Sequence, residues 1–159
     1  MTHDDEADAP RTRGRRPTRE DLLRIYETAK VMAVVGASDD VSKPAGYVPA
    51  YLQSQGYRIM PINPARDEVL GERTLKSLDE VDFPIDVVDV FRPAAEGPEI
   101  ARAAVAMGAK TIWFQPGTQS AEASAIAAEA GMTVVTRLCI GVTHGTLGLG
   151  PGPDHTAED

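Results

Sequence analysis

The residues best suited to chemistry follow a short apolar run and open a predicted helix: Gly36-Ala37-Ser38-Asp39-Asp40-Val41-Ser42-Lys43-Pro44. A loop that leads into a helix can offer backbone N–H groups and the positive end of the helix dipole to a phosphate. Gly36 permits a tight turn, Ser38 adds a hydroxyl, Lys43 adds a charge, and Pro44 suits the first helical turn. Asp39 and Asp40 oppose a phosphate unless they point outward. The loop lacks the G-x-G-x-x-G spacing, and any strand-to-helix turn needs some glycine, so the motif alone leaves phosphate binding and plain turn chemistry both open.

A nicotinamide dinucleotide is a testable alternative. Its ribose needs a carboxylate at the end of the second strand, about 20 residues after the glycine loop. Here that strand ends Ile62-Asn63-Pro64, without a carboxylate. Arg66 lies close by, so NADP is disfavoured less than NAD. Other catalytic constellations are thin. His3 and His155 fall in expected tails, and His144 stands alone in a glycine-rich stretch read as loop, where a structural or solvent-facing role is expected. Asp86 and Asp89 do not form an acid/base pair by spacing, Ser38 and Cys139 have no evident base, and no metal-ligand spacing occurs. The residues support binding better than catalysis.

The elements that must position this loop are legible from hydrophobic patterning. Thr18 is a suitable N-cap for a helix over 19–30. Val31 to Gly36 has no polar alternation, as in a parallel strand buried on both faces. A helix from Pro44 to Gln55, a strand from Tyr57 to Asn63, a helical turn at Ser77–Val81 and a strand from Ile85 to Phe91 follow. Then come a helix over Ala94–Met107, a strand over Lys110–Gln115, a helix capped by Ser120 and a fifth strand over Met132–Arg137. Alternating strands and helices predict an α/β fold: a single three-layer Rossmann-like domain with a five-stranded, mainly parallel sheet of order 3-2-1-4-5. The domain is expected over 18–150, with a disordered tail over 1–17 and a C-terminal tail over 151–159. Residues 144–159 are expected to be loop and frayed end.

In such a sheet, ligands sit beyond the carboxyl ends of the strands. Proline closely follows four of the five strands, at Pro44, Pro64, Pro93 and Pro116, and stiffens that rim. Residues 31–150 hold nine basic and fourteen acidic side chains. Lys43, Arg66, Arg92 and Arg137 fall at the ligand edge, an arrangement that suits a small polyanion, although α/β loops also carry charges for solubility alone.

Composition narrows the class. The chain has 159 residues, of which 42 % are hydrophobic and 25 % charged, enough for one domain that buries roughly 70 % of its unfolded surface. The net charge is -8, and the four acids and four arginines of residues 1–17 cancel, so the excess lies in the body. An acidic body disfavours nucleic acid. No apolar run has the length of a membrane span, the N-terminus lacks a signal-type apolar region, and one cysteine excludes an internal disulfide. A cytoplasmic location is expected.

The segments VVGASDDVSKPAGYVPAYLQSQGYRIMPINP, VVDVFRP and WFQPGTQSAEASAIAAEAGMTVV, with the late Cys139, together resemble the small stand-alone CoA-binding domain proteins. These are similar to the N-terminal domain of the succinyl-CoA synthetase alpha subunit. The resemblance spans roughly 28–147. It implies CoA or a small acyl-CoA held across the carboxyl edge of the sheet, with Gly36, Ala37 and Ser38 at the phosphates and Lys43, beside Pro44, pairing with their charge. Asn63-Pro64, Phe91-Arg92-Pro93 and Gln115 with Gly117 would line the nucleotide and pantetheine track. Two features depart from many relatives: Leu138 intervenes between Arg137 and Cys139, and Thr143 rather than glutamate precedes His144. Cys139 is either a small buried hydrophobe or a thiol at the ligand edge.

The expected partner is thus the CoA ligand, with neither nucleic acid nor membrane, and a homodimer is an admissible assembly. Three functions stay open: a non-catalytic or regulatory CoA-binding module; a subunit or relative of an acyl-CoA-linked or NADP-dependent enzyme; and an interaction domain with a vestigial pocket.

Overall fold

The computed structural model describes residues 15–151. The expected N- and C-terminal tails, including His3 and His155, lie almost wholly outside the described residues. Helix α1 (Arg19–Thr28) opens on a capping box: the Thr18 side chain accepts from the Asp21 N–H, and the Asp21 carboxylate accepts from the Thr18 N–H. Arg15 adds an ion pair to Asp21 at 2.7 Å.

Strands β1 (Val31–Val35), β2 (Arg58–Ile62), β5 (Val87–Val90), β6 (Thr111–Phe114) and β7 (Thr133–Thr136) form the sheet, paired in parallel throughout. Between β2 and β5, a two-residue hairpin pair, β3 (Glu68–Val69) and β4 (Glu72–Arg73), stands apart from it. The spatial order is β2-β1-β5-β6-β7. Counting only the five long strands, this is 2-1-3-4-5, which corrects the expected 3-2-1-4-5. The cause lies after β2. The place beyond β2 is taken by one residue, Leu75, whose N–H donates to Pro61 and whose carbonyl accepts from Asn63. The next full strand therefore pairs with the other side of β1.

The strands are mostly apolar because helices cover both faces of the sheet. Helices α1, α2 (Pro44–Ser54) and α5 (Ile140–Thr146) cover one face, through Leu22, Ile25, Tyr26, Val48, Leu52 and Ile140 against Met32, Val34, Val87 and Trp113. Helices α3 (Gly97–Ala106) and α4 (Ala121–Glu129) cover the other with alanines, Ala101, Ala104, Ala123 and Ala127, against Ala33, Val88, Ile112 and Phe114. Small side chains let these two helices approach the sheet and each other closely.

Helix α5 runs into the expected terminal loop and corrects it at residues 144–146. Gly141 and Gly145 read as loop residues on propensity, yet tertiary packing overrides them. A Cβ at Gly141 would lie 3.2 Å from Val48 Cγ1, so glycine is what lets α5 lie against α2. Three buried side chains fix its start: Tyr26 Oη donates to the Ile140 carbonyl at 2.7 Å, Trp113 Nε1 to the Leu138 carbonyl at 2.8 Å, and Gln115 Oε1 accepts from the Ile140 N–H at 3.3 Å.

The loop after β1 folds back onto the first turn of α2. The Ser38 N–H donates to the Ala45 carbonyl, and a Cβ at Gly46 would lie 2.7 Å from the Asp40 carbonyl carbon and closer still to its oxygen. Gly46→Ala is expected to cost about 1–3 kcal/mol, as overpacking against fixed backbone does. Urea denaturation checks it; a midpoint equal to wild type would show that the loop yields freely.

Candidate functional site

All the β-to-α loops of the sheet emerge at one edge. At β1 the chain diverges: the loop after β1 leads to α2 on one face, and the loop after β5 leads to α3 on the other. This is the topological switch point, where open α/β sheets form their ligand crevice. A cleft of about 420 Å³ opens there. Its walls are Gly36 from the β1 loop, Asn63-Pro64 from the β2 loop, Lys76 and Ser77 beyond Leu75, and Arg92 with the start of α3.

Gly36 brings the loops after β1 and β5 together. Its φ is +92°, and a Cβ would lie 2.9 Å from the Phe91 carbonyl oxygen, so both its backbone angle and its neighbour require glycine. Asn63 supplies the second tie. Its Nδ2 donates to the Ala37 carbonyl at 2.8 Å, and its Oδ1 accepts from the Ala65 N–H at 2.7 Å. The side chain that stands where a ribose-binding carboxylate is expected is thus engaged in joining the β1 and β2 loops.

The edge cations are held in pairs. Arg92 makes two bonds to Glu96, at 3.0 and 2.7 Å. That contact raises the Arg92 pKa and holds the Glu96 carboxyl below its usual range. Lys43 Nζ stands 4.0 Å from Asp40, and Arg66 stands 3.7 Å from Asp39. Lys76 Nζ reaches the Arg66 carbonyl at 2.8 Å and Asp67 at 3.1 Å. The pairs of Lys43 and Arg66 are solvent-exposed and weakly held, whereas two bonds fix Arg92 to Glu96. Asp40 is engaged within its own loop, accepting from the Ser42 hydroxyl and N–H, which lowers its pKa.

Of the predicted site residues, Gly36, Asn63, Pro64 and Arg92 line the cleft. Ser38, Lys43 and Pro44 lie in the adjoining loop at the start of α2. Ala37 is fully buried and contributes its carbonyl to Asn63. Phe91 packs against the core cluster, and Pro93 precedes a short 3-10 turn leading to α3. Gly117 sits in an exposed turn, its N–H bonded to Gln119 Oε1. Gln115 is buried: its Nε2 donates to Asp89 Oδ1 at 2.6 Å while its Oε1 holds α5. Cys139 is partly buried and is the N-cap residue of α5. Arg137 is not in this cleft; it lines a second cavity of about 530 Å³ beside Arg15, Arg16 and α4.

Lys76, Ser77, Asp79 and Glu99 also line the cleft and were not anticipated. The placement of Lys76, Ser77 and Asp79 follows from the single bridge of Leu75 to Ile62, and that of Glu99 from α3. One bridged residue leaves no alternation in the sequence, although the short turn at Ser77–Val81 was a usable signal.

The family model described as "CoA binding domain" matches residues 30–145. The chain belongs to the CoA-binding domain family. Membership supports CoA binding in general. The YneT protein of Bacillus subtilis is 38 % identical over 128 residues, covering 80 % of this chain and 95 % of that one. A solved protein of Pyrococcus horikoshii is 37 % identical with a TM-score of 0.80, covering 84 % and 96 %. An acetyl-coenzyme A synthetase of Ca. Korarchaeum cryptofilum, solved with phosphate and ADP, is 26 % identical with a TM-score of 0.59. The similarity covers 71 % of this chain and 26 % of that synthetase.

Two titratable groups of this CoA-binding domain are buried behind the edge. His144 is structural, as one of its two expected roles had it: fully buried, with Nδ1 2.8 Å from Tyr51 Oη. Burial lowers its pKa, and the Gly150 backbone acts in the opposite direction. No group of three or more His, Cys, Asp or Glu among the described residues is placed to hold a metal. Asp86 caps the amino end of β1 by accepting from the Lys30 and Val31 N–H groups. Asp89, in the middle of β5, is fully buried, and its Oδ2 makes no hydrogen bond.

Burial raises Asp89 from 3.8 to about 7, with the Gln115 bond acting in the opposite direction. The native state therefore keeps a proton that the unfolded chain releases. Below pH 3.8 both states hold it, and this carboxyl costs the fold nothing; as pH rises to about 7, its contribution is progressively lost. Asp89→Asn retains an acceptor for Gln115 and is expected to flatten the fall in stability between about pH 5 and 7. Urea midpoints at both pH values check this, and parallel profiles for variant and wild type would contradict it.

Proposed function

We propose that the chain is a CoA-binding module without a catalytic step of its own, holding CoA or an acyl-CoA at the carboxyl edge of the sheet. The observation that carries this is the meeting of Gly36, Asn63-Pro64 and Arg92 in one cleft at the switch point. CoA is an adenosine polyanion with an amphipathic arm. The cleft has an apolar base at Val35, Ile62 and Ile100, a rim carrying Lys76 and Arg92, and an adjoining helix start with Lys43.

The same geometry speaks against a nicotinamide dinucleotide. Asn63 has both ends of its amide engaged, and Arg66 faces Asp39. The similarity to an acetyl-coenzyme A synthetase over about a quarter of that protein fits a CoA-handling unit that serves chemistry located elsewhere.

Calorimetry with CoA, NAD and NADP tests the reading. CoA is expected to bind at least tenfold more tightly than NAD. The Lys43 side chain is largely exposed, so Lys43→Ala should weaken CoA roughly 10-fold or more while leaving the melting temperature in place. NAD binding as tightly as CoA, or Lys43→Ala binding CoA like wild type, would overturn the assignment of ligand or of its phosphates respectively.

A further inference from the structure

Among the described residues, β7 is a terminal strand of the sheet, paired with β6 alone. The Thr133 N–H donates toward β6, to the Lys110 carbonyl. By alternation, Val134 and Thr136 turn their main-chain groups away from β6, toward the open edge. Both residues are only partly buried. The second cavity, of about 530 Å³, runs along this edge and is lined without interruption from Val134 to Leu138. Helix α4, which covers one face of the sheet, borders it through Ala125 and Ala128. Residues 15–17, which lead into α1 on the other face, border it from the opposite side. The cavity therefore stands where one more strand would extend the sheet, with cover above and below.

Its charge is of one sign. Arg15, Arg16 and Arg137 line it and no acidic residue does, although the chain holds 24 acidic side chains against 16 basic ones. Helix α1 ends at Thr28, beside the amino end of β1, so its start and the two arginines before it stand toward the carboxyl edge. Arg137 follows the carboxyl end of β7, so all three gather at one end of the cavity. Arg15 is held by Asp21 at 2.7 Å. Among the described residues, no carboxylate pairs with Arg16 or Arg137.

We propose that this edge takes up an extended acidic segment of a partner protein, which adds to β7 as a sixth strand and sets its carboxylates against the arginines. The open main-chain groups call for a peptide, since a small anion would leave them unpaired. The arginines call for carboxylates. A second copy of the chain fits less well, because it brings the same three arginines and no acid to the pairing edge. The site is separate from the switch-point cleft, and the proposal does not rest on the CoA reading.

Calorimetry and amide chemical shifts of the full chain test it with a blocked hexapeptide of alternating glutamate and valine. The comparison peptides carry lysine for glutamate, or N-methyl groups on every amide of the glutamate peptide. The glutamate peptide is expected to bind at least about tenfold more tightly than either and to move the amides of Val134 and Thr136. Arg16→Gln and Arg137→Gln should each weaken it about two- to fivefold, the range of exposed ion pairs, and leave the melting temperature in place because both side chains are exposed. No binding, or equal affinity for the glutamate and lysine peptides, would overturn the proposal. N-methylated peptide binding as tightly as its parent would overturn strand addition and reduce the site to charge alone. Tighter binding of single-stranded oligothymidylate at the same amides would give the arginines to nucleic acid instead. Shifts of Val134 and Thr136 that follow protein concentration without peptide would give the edge to a second copy, which also overturns it.

Discussion

Parallel pairing of strands that are buried on both faces is the constraint from which the rest follows. A parallel sheet cannot be closed by hairpins, so each strand must be followed by a crossover. The helices that make those crossovers must cover both faces, because β1, β5 and β6 carry no polar alternation. All turns from strand to helix then lie at one edge. Where the crossovers from β1 and β5 depart to opposite faces, packing leaves a crevice. The cleft is a consequence of topology, and its chemistry is a consequence of which residues occupy five short loops.

The second dependence is a polar chain that leads from the sheet to the start of α5. Asp89, Gln115 and the Ile140 N–H form one chain of contacts, and Tyr26 and Trp113 hold neighbouring carbonyls. Buried polar groups of this kind are costly unless bonded. Here they fix the start of a helix that has two glycines in seven residues and little tendency to form alone. Helix α5 in turn lies against α2 through Gly141. Asp89 and His144, both fully buried, thus serve the frame that shapes the ligand edge.

Much of this was legible in the sequence. The apolar runs at β1, β5 and β6, the Thr18 and Ser120 caps and the edge loops all stand where patterning puts them. So do Gly36, Asn63-Pro64 and Arg92 at the cleft. Three features were not legible, each for a physical reason. Strand order turns on Leu75, a single bridged residue with no periodic signature. Helix α5 forms against local propensity because α2 needs glycine opposite Val48. Gln115 reads as a loop-end polar group available to ligand, whereas the buried carboxyl of Asp89 and the first N–H of α5 draw it inward. Non-local contacts decide all three, and local pattern carries no record of them.

The central claim is the location of CoA at the switch point. Backbone amide chemical shifts of the isotopically labelled chain, followed by NMR as CoA is added, test it most directly. The account predicts that the largest changes fall at Gly36, Ser38, Asn63, Ser77 and Arg92, with residues at the opposite, amino-terminal edge of the sheet, such as Val31 and Asp86, unmoved. Changes concentrated around Arg15, Arg137 and α4, with the switch-point loops silent, would contradict it.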